Sequence, residues 1–264
     1  MALQLEPKHI TPPSTTIGAT PPLTPPVEAA SISILSPDLI TTSSTALRFH
    51  AAAALQLTPL LTPTISSFFQ LPTTVHRLIT SPYNTPFHTQ DLTPLPRASA
   101  LLSLALTTLT PTRADYATAP YLESFNWPAV LALLRDLCTA TQHVWTNTTF
   151  YTVIFRSTLK HKGAAYRTRL GELDEGSHVE AVASGGLLKY WFGDTDGERR
   201  NLATCIWHSR ADAHRGGKGP GHARARRAAG EFYEGFEFST WRLVVEDGTR
   251  GVRLEEWIEG EEGR

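Results

Sequence analysis

"GLLKYWFGDTDGERRNLATCIWHS", Gly186 to Ser209, holds two apolar runs of strand length around a polar turn. Gly193 and the Asp194–Gly197 segment supply turn residues between them, so the stretch predicts two strands joined as a hairpin. Side chains alternate along a strand. Leu202, Thr204, Ile206 and His208 therefore share one side, while Ala203, Cys205 and Trp207 share the other. Tyr190 and Trp191 are split in the same way. Neither side of this hairpin is polar, so both need cover.

Working outward, Ser209 followed by Asp212 resembles a capping box that opens a helix. A glycine-rich gap, "RGGKGPG", leads to a helix beginning near His222, on which His222, Ala225, Ala229 and Phe232 form one stripe. "FEFSTWRLVVEDG" then reads as a strand and "VRLEEWIE" as a short further one. Upstream, "FYTVIFRST" (Phe150–Thr158) is a strand. Tyr166–Ala183 is a helix with Tyr166, Leu170 and Leu173 on one face. Gly176 is expected to interrupt that helix and leave His178 exposed. The order β-α-β-β-α-β is that of an α+β, ferredoxin-like split βαβ unit. Its second face calls for a second protomer or for helices from the N-terminal half.

That half has a different composition. Seventeen of the nineteen prolines lie at or before Pro120, and seventeen of the eighteen glycines at or after Gly163. Residues 1–112 hold eight charged side chains, residues 151–264 thirty-six. The Pro/Thr/Ser-rich residues 1–45 show no apolar period and read as a disordered tail. Residues 46–144 read as a helical extension packing on the sheet domain, residues 145–264. Its short helices are "ALRFHAAAALQLTPLL", "ISSFFQLPTTVHRLI" and "RASALLSLALTTL", each ended by a Thr-Pro or Ser-Pro break. A longer helix follows over Asn126–Val144, with Asn126 as cap, Pro128 in the first turn and Val130, Leu133, Leu134, Leu137 and Thr141 as its stripe.

A net charge of −1 gives no electrostatic footprint for nucleic acid or an anionic membrane. No apolar run approaches the roughly 18–20 residues that span a bilayer, and the N-terminus lacks the pattern of a secretory signal. Cys138 and Cys205 read as small buried hydrophobes of a reducing, cytoplasmic compartment. No metal spacing, phosphate loop or GxSxG nucleophile motif occurs, so no metal and no cofactor are expected. Arg224, Arg226 and Arg227 fall on the outer side of the last helix. The expected state is monomer or homodimer.

"TRADYATAPYLESFNW", "GLLKYWFG" and "RNLATCIWHSRADAHR" resemble segments of an uncharacterised protein family of ascomycete fungi, over about Thr112 to Ile258. More loosely, the hairpin ending in "CIWHSRADA" and the helix opening at His222 resemble the dimeric α/β-barrel superfamily that includes antibiotic-biosynthesis monooxygenases. That likeness implies a pocket between sheet and helices for an aromatic or polyketide-like compound of fungal, including secondary, metabolism. It also implies chemistry without metal or flavin, by a cofactor-independent monooxygenase or cyclase. The long N-terminal extension departs from the barrel pattern. In such a pocket His222 or His208 would be the general base. Tyr190, Trp191 and Trp207 would hold a planar substrate, and Arg156 would stabilise an enolate or phenolate oxygen. The competing expectation is a non-catalytic structural or interaction protein whose aromatic residues simply fill the core.

Overall fold

The computed structural model describes residues 77–83, 86–161 and 163–257. The expected tail over residues 1–45, the first short helix and most of the second lie outside them. Seven strands and five α-helices are described. β1 (Arg77–Ile79) and β2 (Thr89–Asp91) form a two-stranded ribbon. β3 (Thr148–Leu159), β4 (Leu187–Phe192), β5 (Arg200–Trp207), β6 (Tyr233–Val245) and β7 (Val252–Glu256) form one sheet. The helices are α1 (Arg97–Ala105), α2 (Trp127–Ala140), α3 (Ala164–Ala183), α4 (Arg210–Gly216) and α5 (Pro220–Phe232).

The sheet order is β4-β5-β3-β6-β7, every neighbour antiparallel. A β3-α3-β4 crossover with β5 between its strands, and a β5-α4-α5-β6 crossover with β3 between, make the split βαβ unit expected from the hairpin. The predicted fifth strand is β7, which extends the sheet past β6.

Two apolar clusters lie on opposite faces. One joins Phe150, Ile154, Leu188, Trp191, Leu202, Ile206 and Leu243 to α1 and α2. The other joins Leu187, Tyr190 and Trp207 to Ala181 and Val182 of α3. The N-terminal half thus supplies the cover for the second face. Each fully buried leucine in this seam contributes about 2 kcal/mol by area. Two polar contacts fasten it as well. Ser103 Oγ donates to the Leu188 carbonyl at 2.8 Å, and Tyr121 Oη meets Thr204 Oγ1 at 2.9 Å.

Four local expectations need correction. Asn126 stands at the N-cap of α2, but its side chain makes no capping hydrogen bond. Its Oδ1 accepts from Thr110 N and its Nδ2 donates to the Thr108 carbonyl, tying the preceding segment down. That helix stops at Ala140 rather than Val144, because Gln142 takes a left-handed φ of 53°. The end of the second predicted short helix, Arg77–Ile79, is a strand. It is held by β2 and by Tyr190 N donating to the Thr80 carbonyl at 2.7 Å. Finally, Gly176 does not break α3, which is continuous to Ala183. A Cβ at Gly176 would meet only Arg224 Nη2, at 3.7 Å, and the close helix contact depends on a glycine of α5 instead. A Cβ on Gly221 of α5 would lie 2.6 Å from the Gly176 carbonyl oxygen.

β4 carries a register shift between Leu187 and Lys189. The extra residue reverses the alternation, so that Leu188 and Trp191, three apart, share one cluster and Leu187 and Tyr190 the other, while Lys189 pairs with Ile206. Lys189 is fully buried, and burial alone lowers its amine to about 7.

Candidate functional site

α3 crosses the sheet with Leu170, Leu173, Asp174, Ser177, His178 and Ala181 on the side turned inward, a stripe at three- and four-residue spacing. Two of those six are ionisable. Asp174 Oδ1 accepts from Tyr190 Oη at 2.5 Å, and its Oδ2 accepts from Tyr83 Oη at 2.5 Å. One carboxyl is therefore held by a phenol from the sheet and a phenol from the segment after β1. Burial raises the Asp174 carboxyl above the ordinary carboxylate range, and the two phenol hydrogen bonds oppose that rise. Both phenols are raised too, burial first and the Asp174 charge next.

His178 lies one turn beyond Asp174 and is buried, not exposed as the sequence suggested, because α3 continues through Gly176. Its Nδ1 is 2.7 Å from Nδ1 of the buried His88. His88 Nε2 in turn approaches Glu175 Oε1 at 3.4 Å. If His88 donates to Glu175, its Nδ1 must accept, and His178 Nδ1 is the donor. His178 Nε2 is then a bare acceptor, and it has no hydrogen-bond partner. Burial, with His88 and His222 nearby, holds His178 down at about 3. Tyr83 stacks on His88 at 4.8 Å and packs at 5.2 Å from His178, and Tyr190 lies 5.3 Å from His178. The result is a continuous group of two phenols, one carboxyl and two imidazoles.

A cavity of about 70 Å³ opens beside this group, lined by Leu170, Leu173, Asp174, Ser177, Ala225, Phe232 and Tyr233. Leucine, alanine and phenylalanine make most of its wall, and Asp174, Ser177 and Tyr233 add polar groups. Tyr233 continues the lining onto the sheet, with its ring 5.2 Å from Phe155 and 5.9 Å from Phe236. Phe155 is half-buried, whereas Phe236 and Phe238 are 56% and 60% exposed. An apolar strip thus leads from the cavity to solvent.

The six residues expected to form a site do not converge. Tyr190 is in the group just described. Trp207 shares its face but fills core, its ring against the spot where a Cβ on Gly216 would sit. His222 opens α5, where Glu180 accepts from Gly221 N and His222 N, and His222 Nδ1 lies 3.1 Å from Glu180 Oε2. The remaining three lie on the other face. Trp191 packs edge-on against Phe125 and Tyr116. His208 Nδ1 meets Ser99 Oγ of α1 at 2.8 Å. Arg156 donates to the carbonyls of Tyr116, Ala117 and Ala119, so its guanidinium clamps a loop of the covering layer. These three contacts serve the joint between the layers.

Asp174, His178, His88 and Tyr83 were missed in the sequence. The signal that could have found two of them is the α3 stripe, where ionisable side chains occupy core-facing positions. Among the described residues no group of His, Cys, Asp and Glu could hold a metal ion, and no helix is long and apolar enough to cross a membrane.

The family model described as PB2B2.08-like matches residues 79–256, about two thirds of the chain. The chain belongs to the PB2B2.08-like family. A curated relative, UPF0643 protein PB2B2.08 of Schizosaccharomyces pombe, is 36% identical over 173 residues, 64% of this chain and 79% of the relative. The span matched by the PB2B2.08-like model contains α1 and α2 as well as the sheet, so the covering layer is part of the family's unit. It also contains Tyr83, His88, Asp174, His178 and Tyr190. Two solved structures are similar to part of the chain, at a TM-score of 0.30 each. One is Rv0793 of Mycobacterium tuberculosis, 16% identical, covering 34% of this chain and 91% of its own. The other is a Nitrosomonas europaea protein described as an antibiotic biosynthesis monooxygenase, 12% identical, covering 36% and 90%.

Proposed function

We infer that this PB2B2.08-like protein binds a small aromatic or polyketide-like compound on the α3/α5 side of its sheet and moves a proton at Asp174. One observation carries the reading: the carboxyl lines a mostly apolar cavity, is raised by burial, and holds two phenol donors. A buried carboxyl beside phenols suits removal of a proton from a carbon next to a carbonyl. The C–H bond breaks, the proton goes to Asp174, and the electron pair moves onto the carbonyl oxygen as an enolate. Tyr83 and Tyr190, which lie outside the cavity's lining, hold the carboxyl in place from behind. An enolate that attacks a second carbonyl of the same molecule closes a ring, the chemistry of a cyclase. A monooxygenase would need dioxygen as co-reactant. In this arrangement Asp174 takes the role expected of His222 or His208.

A cavity of about 70 Å³ holds roughly two waters. Only the reacting end of such a ligand enters it, and the planar remainder lies along Tyr233, Phe155 and Phe236. The small volume favours the alternative of a filled, non-catalytic core, and the test separates the two. Phenolic and polyketide-like compounds are screened by thermal shift, and each hit is titrated against Asp174→Asn, Tyr190→Phe and the surface control Arg224→Ala. Binding should weaken about 10- to 100-fold in Asp174→Asn, the loss of one hydrogen bond to a charged group, with Arg224→Ala unchanged. Hits that bind Asp174→Asn as tightly as wild type would leave the site without its central residue and overturn the reading.

A further inference from the structure

We propose that the acidic residues 258–264 of this chain dock on its own basic α4–α5 ridge, along the exposed side of α4 as far as Lys218. The ridge is a local reversal of the chain's near-neutral balance. Residues 208–227 contain five arginines and Lys218 against a single acid, Asp212. Asp212 is buried, and it is held by Ser209 Oγ and by Arg215. Arg215, Lys218, Arg224, Arg226 and Arg227 are all exposed. Three acids of α3 and α5 are committed elsewhere: Glu180 to the first turn of α5, Glu175 to His88 and Glu231 to Arg169. The α5 surface offers alanine and glycine between its arginines, with neither an apolar wedge for a bilayer nor an aromatic ring for a base. A short acidic peptide is the partner that fits it, since planar guanidinium groups pair with carboxylates through two hydrogen bonds.

The chain itself delivers such a peptide to the ridge. The last described residue, Trp257, leaves the end of β7 and lies against the helix-facing side of the sheet, its ring 5.1 Å from Tyr151. Arg210, the first residue of α4, sits over that ring at 5.5 Å. Beyond it the sequence reads Ile258-Glu-Gly-Glu-Glu-Gly-Arg264, with Glu259, Glu261 and Glu262. Seven extended residues span about 23 Å. Arg215 is five residues along α4 from Arg210, about 7.5 Å. The glutamates therefore start at the basic ridge and have ample length to follow it.

The test uses the full chain. Lys218→Cys with Glu261→Cys should form a disulfide under mild oxidation far faster than Lys160→Cys with Glu261→Cys, where residue 160 lies at the opposite end of α5. Amide exchange over residues 210–219 should rise about threefold in the Glu259→Gln/Glu261→Gln/Glu262→Gln variant, as expected for a few exposed ion pairs. A charge swap, Arg215→Glu/Lys218→Glu with Glu261→Lys/Glu262→Lys, should restore the protection. Equal crosslinking at residues 218 and 160, or exchange unmoved by the triple variant, overturns the proposal. So does binding of a soluble glutamate-rich peptide to the wild-type chain as tightly as to the triple variant, which would assign the ridge to an acidic partner protein instead.

Discussion

His178 is a neutral imidazole in the core, and that makes it a measurable load on stability. Its ordinary value of 6.5 falls to about 3 in the folded protein. The unfolded chain therefore binds a proton at this position below pH 6.5 while the folded one does not. The stability it contributes is full above 6.5 and is lost as pH falls toward 3, with a slope reaching about 1.4 kcal/mol per pH unit. His88 is lowered as well, burial being the cause, and adds to the same limb. Asp174 works the other way, since a raised carboxyl favours the folded state below its ordinary 3.8 and costs stability as pH rises through its folded value. Chemical denaturation of wild type and His178→Gln between pH 4 and 7 checks this. The variant should be less stable at pH 7 but should show a shallower loss on acidification. Parallel curves would mean that His178 is protonated in the fold. None of this was legible in the sequence, because His88 and Tyr83 come from about 90 residues upstream and only the tertiary fold brings them to α3.

At the scale of elements, periodicity did well where packing is regular and failed where it is not. The two-residue period placed Tyr190 and Trp191 on opposite faces, and Leu202 and Ile206 opposite Trp207, as the two clusters bear out. It could not show the register shift at Leu188, which reverses the alternation so that Leu188 shares a layer with Trp191 and Leu187 with Tyr190. Gly176 was misread for a physical reason: one glycine costs a helix only about 1 kcal/mol, which the packing of α3 outweighs. The glycine that packing requires is Gly221 of α5, where a Cβ would lie 2.6 Å from the Gly176 carbonyl oxygen. Gly221→Ala should therefore push α5 off α3 and cost about 1–3 kcal/mol, the usual penalty of overpacking. Gly171, on the same helix α3, has open space where its Cβ would be. Gly171→Ala should raise stability by about 0.5–1 kcal/mol through helix propensity. Melting temperatures of the two variants should move in opposite directions. A fall in both would mean that α3 is constrained along its whole length rather than at the contact.

At the scale of the molecule, the sequence left the cover of the second sheet face open between a partner and the N-terminal half, and the chain fills it internally. Leu101, Leu102, Leu104 and Leu106 enter from one side, and Val130, Leu134 and Leu137 of α2 from the other. They meet Phe150, Ile154, Leu188, Trp191, Leu202, Ile206 and Leu243. His208, Arg156 and Trp191 belong to this joint. The tether Arg156 makes to the Tyr116–Ala119 carbonyls explains why a basic residue sits mid-strand on an apolar face. Residues 145–264 alone should consequently fold poorly or associate, because removing the layer bares a continuous apolar surface of the kind that monomers do not leave in water. Light scattering behind a sizing column decides between outcomes. Aggregates, or a dimer that closes the bare face against a second copy, agree with the layered architecture. A well-behaved monomer of residues 145–264, with the melting temperature of the intact chain, would show that the N-terminal half adds nothing to the core. A separately expressed piece covering residues 77–144 should restore monodispersity when mixed in. Its Leu134→Asp variant should not, since an unpaired carboxylate in that seam has no partner to offset its desolvation.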